Sequence, residues 1–406
     1  MQEAWEAFYE HKLLQGNISK KDAADLRSFI DRKEYLPVLQ RIHAGDSLPP
    51  PRKLLISKAN TGKKRTVYTF GREENYVLKL LSHLLREYDH LFAPNLYSFR
   101  KNTGVKKATS DILKLKNLRQ YYVYKVDISN YFNSVDIELL LPELEDTLAE
   151  DSELFRFLKA LLENPYVEFN GQVIREAQKG IMAGTPISAF LANFYLRELD
   201  AYFYERLIPY MRYSDDILVF GKDESTLHNS IRIIQEMLLS KKLTVNPSKE
   251  SLSAPGEAWV FLGFSYEKGM IDVSNVSFEK LKGKMHRKVR RLHQWAEKKH
   301  LPGEYAAKAF VKRFNAKLYD NPIYNELTWT RWYFPVINTD RTLRRIDEYM
   351  QDCIRYLATG KRTKSRFAFR YEDIKKLGYR SLVNEYYKCK SDTSESRTEG
   401  GVFFGK

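Results

Sequence analysis

Two adjacent carboxylates constrain this chain more than any other feature. Asp215 and Asp216 sit inside "MRYSDDILVF" (Met211–Phe220), between runs of apolar and aromatic residues. The pattern reads as two short strands, "MRY" and "ILVF", meeting at a turn. Like charges side by side repel and resist burial, so the fold must supply either water or a cation. A third carboxylate, Asp127, ends a similar run, "YYVYKVD", far upstream. Strands from separate parts of one sheet can bring all three groups to one place. A divalent metal, Mg²⁺ foremost, would remove the repulsion. Two such ions suit in-line phosphoryl transfer, with Asp127 and Asp215 as principal ligands and Asp216 in support. The bland alternative is a surface Asp-Asp turn, because Tyr-x-Asp-Asp alone is a weak signal.

Charge balance narrows the partner. The chain carries 67 Lys plus Arg against 52 Asp plus Glu, a net charge of +15, which predicts a polyanion: nucleic acid or an anionic membrane surface. The membrane is the weaker choice. No run of 18 apolar residues exists, and "MQEAWEAFYEHKLLQ" carries acids early, unlike a secretory signal. The two cysteines, Cys353 and Cys389, make no metal-ligand spacing and read as free thiols in a reducing cytoplasm. At 406 residues, two or three subdomains are expected.

Along the chain, residues 1–48 read as helical with a break at Gly16–Asn17, and "SLPPPRK" forces an extended stretch. Lys53–Phe70 looks like a basic hairpin, and 73–92 returns to helical spacing. Gln120–Phe132 favours a strand, 136–163 a helix, and Tyr166–Ile174 a hairpin turning at Asn-Gly. "SAFLANFYLRELDAYFYERL" predicts one long helix, followed by the Ser-Asp-Asp strands, a helix at 225–240 and another strand pair in "WVFLGFSYEKGMIDV". From Ser277 to Lys299, Phe278, Leu281, Met285, Val289 and Leu292 fall at helical spacing. Lys284, Arg287, Arg290 and Arg291 lie between them, so phosphate contact is expected there rather than a merely solvated face. Residues 320–388 read as helical and aromatic-rich, and "KSDTSESRTEGG" as disordered.

These segments together resemble the prokaryotic reverse transcriptases. "ISKANTGKKR" and "NLYSFRKNTGVKKA" are similar to that family's fingers blocks, and "VDISNYF" to its first metal-binding strand. "KGIMAGTPISAFLANFYLRELD" resembles the template- and nucleotide-contacting loop, "YSDD" the second metal-binding turn, "LTVNPSKE" the lysine segment and "FLGF" the primer-grip hairpin. Seven motifs in order over roughly residues 50–270 are far more specific than any one. The resemblance implies an α+β right-hand polymerase whose palm is an antiparallel sheet. The expected division is an N-terminal helical extension at 1–50, fingers at 51–120, palm at 121–269 with inserted fingers elements at about 137–180, thumb at 270–319, a helical extension at 320–390 and a tail at 391–406.

It also implies roles. Asp127, Asp215, Asp216 and the Ile128 backbone would hold two Mg²⁺, with Mn²⁺ as an alternative. Lys249 would protonate the leaving pyrophosphate. Lys58 and Arg65 would grip the incoming triphosphate. Phe132 would lie under the sugar and exclude a 2′-hydroxyl, with Tyr131 as the alternative. Gly184 and Ser188 would let the nascent pair approach closely. Arg100, the hairpin residues Phe261, Leu262 and Gly263, and the basic helix would touch nucleic acid. The expected partners are an RNA template, possibly a dedicated non-coding RNA, a DNA product and deoxynucleotides, with no membrane.

Many relatives carry Gln-Gly and Ser-Pro where this chain has Ala183-Gly184 and Ser188-Ala189, which puts strict template use in doubt. Elimination of other branches leaves the abortive-infection-like, defence-associated set. The alternatives are a template-independent or protein-primed polymerase of the same fold and a catalytically idle RNA-binding scaffold.

Overall fold

The computed structural model describes residues 1–15, 18–57, 64–101, 103–319 and 328–399, with backbone alone for 393–399. The chain divides into two compact units, Met1–Pro255 and Gly256–Lys406.

The first unit opens with α1 (Gln2–Gln15), α2 (Lys20–Asp31) and α3 (Leu36–His43). Trp5, Phe8, Phe29 and Ile30 are buried in its core. A hairpin follows, β1 (Arg52–Ser57) and β2 (Lys64–Thr69), then α4 (Arg72–Leu84), a 3-10 segment Leu85–Leu91, and α5 (Val105–Leu113). β3 (Tyr122–Asp127) ends at the first carboxylate, earlier than the sequence pattern suggested. Asn130 takes a left-handed φ of 46°, and Tyr131–Ser134 turns into the short α6. Next come α7 (Ile137–Thr147), α8 (Ser152–Glu163) and the Asn-Gly hairpin β4 (Tyr166–Phe169) and β5 (Gln172–Arg175).

The single helix expected across 188–207 is two, α9 (Ser188–Tyr195) and α10 (Arg197–Glu205). The break has a cause. The Asn193 carbonyl, which would accept the next helical hydrogen bond, accepts Arg212 Nη2 at 3.1 Å instead. β6 (Tyr210–Tyr213), β7 (Asp216–Gly221), α11 (Glu224–Ser240) and β8 (Ser251–Ser253) complete the unit. Its central antiparallel sheet has the order β6-β7-β3-β8, and a second sheet has the order β2-β1-β4-β5.

The second unit holds the meander β9 (Trp259–Phe261), β10 (Phe264–Glu267) and β11 (Met270–Val273), then α12 (Asn275–Lys298) and α13 (Gly303–Leu318). α14 (Trp329–Tyr333), α15 (Arg341–Thr359), α16 (Tyr371–Lys376) and α17 (Leu382–Glu399) follow. The meander falls in the second unit with the helices that follow it, since that unit begins at Gly256. The stripe Phe278, Leu281, Met285, Val289 and Leu292 is buried as expected, and α13 and α15 pack on α12. The polar stretch expected to be disordered from 391 is helical through Glu399. It continues a helix whose start is anchored by the buried Asp347 carboxylate, which accepts from the Leu382 and Val383 backbone N–H groups; elongating a nucleated helix is cheap.

Candidate active site

Register places the carboxylates. β3 and β7 pair antiparallel with Asp127 opposite Asp216, and β6 pairs with β7 with Tyr213 opposite Asp216. Ser214 and Asp215 are therefore the two-residue turn of a hairpin. The Ile128 N–H donates to the Asp215 carbonyl at 3.0 Å, which fixes that turn against the end of β3. Ser214 carries a φ of 62°, a strained value for a residue with a Cβ.

A buried hydrogen-bond network holds the strain. The Ser214 N–H donates to Ser98 Oγ at 2.9 Å. Ser98 Oγ in turn donates to Asn193 Oδ1 at 3.1 Å. Beneath them lies a fully buried ion pair: Arg212 Nε to Asp200 Oδ1 at 2.8 Å and Nη2 to Oδ2 at 2.5 Å. Arg212 Nη1 also donates to the Ser214 carbonyl at 3.3 Å, and Tyr210 donates to Asp200 Oδ1 at 3.1 Å. Sequence reading missed this scaffold. Arg212 lies inside the quoted motif, but nothing local announces that its partner is Asp200.

Asp127 is buried, with 4% of its surface exposed, and its carboxylate is not unpaired. Lys249 Nζ lies 2.5 Å from Oδ2, and Asn246 Nδ2 donates to Oδ1 at 3.4 Å. The Asn246 N–H also donates to the Asp127 carbonyl at 2.8 Å. Lys249, expected beside the reacting phosphates, thus ion-pairs with a carboxylate while half its side chain stays exposed. Burial first, then the charges of Asp127 and Asp216, push the Asp215 carboxyl above its ordinary range. Asp216 is partly exposed, with Lys125 Nζ 3.5 Å away.

The loop between β5 and α9 is tied to the same place. The Ile181 N–H donates to the Phe132 carbonyl at 2.9 Å, the Ala183 N–H to Asn133 Oδ1 at 3.0 Å, and the Tyr68 N–H to the Ala183 carbonyl at 2.8 Å. Gly184 has a φ of 102°, and a Cβ there would stand 3.0 Å from the Tyr68 carbonyl. Its role is close approach to β2. Ser188 is buried and spends its hydroxyl on the Thr185 carbonyl at 2.7 Å, so it presents no side chain. Of the two candidate rings, Tyr131 is fully buried and donates to the Ala192 carbonyl at 2.5 Å, whereas Phe132 is only half-buried.

Other expectations divide. Arg65 is exposed on β2, while Lys58 lies outside the described residues. Arg100 does not face outward. Its guanidinium donates to the carbonyls of Ala93 (2.7 Å), Leu96 (3.3 Å) and Asp89 (3.0 Å), closing off the 3-10 segment, so a nucleic-acid phosphate is not what satisfies it. In the second unit, Phe261 is fully buried, and Leu262 and Gly263 have φ values of 52° and 87°, the positive pair that a tight hairpin turn demands. A Cβ on Gly263 would stand 3.0 Å from Ser277 Oγ and from the Tyr333 hydroxyl. Lys284, Arg287, Arg290 and Arg291 are exposed on α12.

The sequence profile of the family described as reverse transcriptase (RNA-dependent DNA polymerase) matches residues 56–266. The chain belongs to this family. The retron Ec73 reverse transcriptase of Escherichia coli is 29% identical over 187 residues, 42% of this chain and 53% of that protein. Protein YkfC of Escherichia coli K12 is 23% identical over 254 residues, 53% of this chain and 66% of that protein. The group II intron-encoded protein LtrA of Lactococcus lactis is 24% identical over 242 residues, 59% of this chain and 39% of that protein. The chain thus matches between about four tenths and two thirds of these relatives' lengths. Among solved structures, apo telomerase from Candida tropicalis aligns over 82% of this chain and 60% of that chain, with 12% identity and a TM-score of 0.48.

The α+β class and the antiparallel sheets accord with the right-hand fold of the reverse transcriptases. The β6-β7-β3-β8 sheet brings Asp127 opposite Asp216 at one end of its β3–β7 pair. No helix among the described residues is long and apolar enough to cross a membrane.

Proposed function

We propose that this reverse transcriptase family member is an RNA-directed DNA polymerase whose reaction centre is the Asp127–Asp215 corner. The carrying observation is the register that sets Asp127 and the Ser214–Asp215 turn side by side, where burial and the neighbouring carboxylates make ionisation of Asp215 costly.

No cluster of three or more His, Cys, Asp or Glu side chains among the described residues forms a ready cage for a metal. The donor set nevertheless fits Mg²⁺ or Mn²⁺. A hard cation of this kind takes one or two carboxylates and completes its shell with water and substrate phosphates. Asp127 and Asp215, with the Ile128 backbone carbonyl and Asp216 in support, would hold two ions. Such ions supply activation of a primer hydroxyl and neutralisation of the developing phosphate charge.

The chain's own groups do the rest. Lys249, a short reach from Asp127, carries a proton that it can deliver to the leaving pyrophosphate once the carboxylate has another partner. Arg65 and Lys58 would bind triphosphate oxygens. The half-buried Phe132 ring would stand under the sugar and clash with a 2′-hydroxyl. Asn133, bonded to the Ala183 N–H, keeps the nucleotide loop in register with that ring.

For the biological setting we propose antiphage defence with a dedicated non-coding RNA as template, a placement supported by the family branch whose loop varies as Ala183 and Ala189 do here. A second reading, template-independent synthesis, is favoured by one observation: Ala183 is buried, and both its backbone groups are bonded within the protein, so it offers no polar side chain to a template. Primer extension on two RNAs of different sequence decides between them. Products complementary to each RNA support the first reading, and products indifferent to the RNA support the second.

A further inference from the structure

The family match begins at residue 56, so α1, α2 and α3 lie outside it. A cavity of about 360 Å³ opens there, between α3, α4 and α8. The apolar stripe of α4 is wider than the core needs. Val77 and Leu80 are buried, whereas Leu81 is half-buried and Leu84 is 37% exposed. Leu81 and Leu84 line the cavity from α4, Leu39 and Ile42 from α3, and Leu154 and Phe157 from α8. Glu87, Asp151 and Glu153 line it as well, and all three are exposed. The His43 ring meets the Glu153 carboxylate. Burial first, and then the charges of Asp151, Glu87 and Glu150, push the Tyr88 hydroxyl above its ordinary range, so these carboxylates converge on the Tyr88 side. On a chain of net charge +15 this acidic edge repels phosphate and keeps nucleic acid away. A mostly apolar cavity with carboxylates at its edge suits an apolar group flanked by cations.

The chain carries such a group at the far end of α1. Leu13 is 46% and Leu14 82% exposed. No other helix whose side chains are described exposes two large apolar residues in succession. Lys12 precedes them, and burial, then the charges of Arg86 and Lys79, hold its ammonium below the ordinary range. Burial, then Arg86, Lys12 and Lys101, hold His11 down in the same way. This end of α1 therefore stands among cations, the complement of the acidic edge. One chain cannot bring the two together. Met1 lines the cavity, and the helix that follows carries Leu14 about 20 Å away, at roughly 1.5 Å per residue. Trp5 and Phe8, both buried, fix α1 in the core, so its end does not swing back.

We propose that Leu13 and Leu14 of one copy seat in the Leu81–Leu84–Phe157 cavity of a second copy, with Lys12 against Glu87 and Glu153. The two surfaces differ, so the contact runs head to tail and builds a ring or an open series rather than a two-fold dimer. The proposal rests on no part of the polymerase reading.

Sedimentation velocity of the nuclease-treated full chain, over a concentration series at low salt, tests it. Wild type should sediment faster than a monomer as concentration rises, and added salt should weaken the association by screening its charges. Two variants each remove one half of the contact at exposed positions: Leu13→Ser with Leu14→Ser, and Glu87→Lys with Glu153→Lys. Each alone should stay monomeric where wild type associates, with a wild-type circular dichroism spectrum. Their equimolar mixture should form a one-to-one dimer and nothing larger, because the first variant keeps its cavity and the second keeps its leucines. That pairing also shows that both variants are folded. A wild type that is monomeric throughout, an association that nuclease treatment abolishes, or a mixture that stays monomeric overturns the proposal. A monomeric wild type whose melting midpoint rises with dodecylamine would give the cavity to a small amphiphilic cation instead.

Discussion

Asp215, in the proposed reaction centre, works against its own fold. Its carboxyl is raised above the ordinary range by burial and by Asp127 and Asp216. A raised folded pKa means that the folded state binds more protons than the unfolded state between the two values. The group's contribution is therefore fully present below the unfolded value, about 3.9, and is lost as pH rises through the folded one. At neutral pH the ionised group is a liability, and Asp215→Asn removes it. Without divalent metal, the Asn variant should melt above wild type at pH 7, and the difference should shrink as pH falls towards 4. Added Mg²⁺ should raise the wild-type midpoint more than that of the variant. Melting curves across pH, with and without Mg²⁺, check this. Arg212 has the opposite sign. Truncating it to Ala strands Asp200 in the core and should cost about 3–5 kcal/mol by denaturant unfolding. The difference in legibility is physical. Charged residues in a strand pattern stand out against apolar neighbours, so the Asp triad could be read. A buried ion pair such as Arg212–Asp200 exists only once α10 and β6 have packed. Phe132 could be read only as one of two rings; Tyr131 is fully buried and Phe132 half-buried. Phe132→Ala should admit ribonucleotides, measured by incorporation of each nucleotide type, and an unchanged preference would move the gate elsewhere.

Among the elements, α12 was legible in its periodicity and not in its partners. Its apolar stripe and basic face lie where the spacing put them, but α13 and α15 cover the stripe. The aromatic segment after residue 328 was legible in composition alone. Tyr333, Phe334 and Tyr379 are buried there, whereas Phe367 is 51% exposed with the guanidiniums of Arg355 and Arg366 5.0 and 4.6 Å from its ring. Core packing therefore accounts for three of these four rings. The consequence is sharp for truncation. Deleting 320–406 removes α15 from the faces of α12 and α13 and should unfold the second unit; circular dichroism of the truncated chain, showing lost helix beyond the deleted residues, checks this. Neutralising Arg287, Arg290 and Arg291 leaves the stripe intact and should lower the salt slope of primer–template binding by about 0.7 to 0.9 for each phosphate that these side chains neutralise in the wild type.

At the scale of the molecule, the net charge of +15 and the division into two units fit a protein that spreads its nucleic-acid contacts over basic surfaces and keeps one small acidic corner for chemistry. On the proposed reading that arrangement separates affinity from reaction: Lys and Arg on the surface would hold phosphates, while the carboxylates at the end of β3 and in the Ser214–Asp215 turn would serve the chemical step. The most direct measurement is single-nucleotide incorporation on an RNA template, made beside RNA binding, for wild type, Asp127→Asn and Asp215→Asn. Losing a metal ligand removes several kcal/mol of transition-state stabilisation, so incorporation should fall at least about a thousandfold in each variant while RNA affinity stays within about twofold. Incorporation at the wild-type rate by either variant would contradict the account.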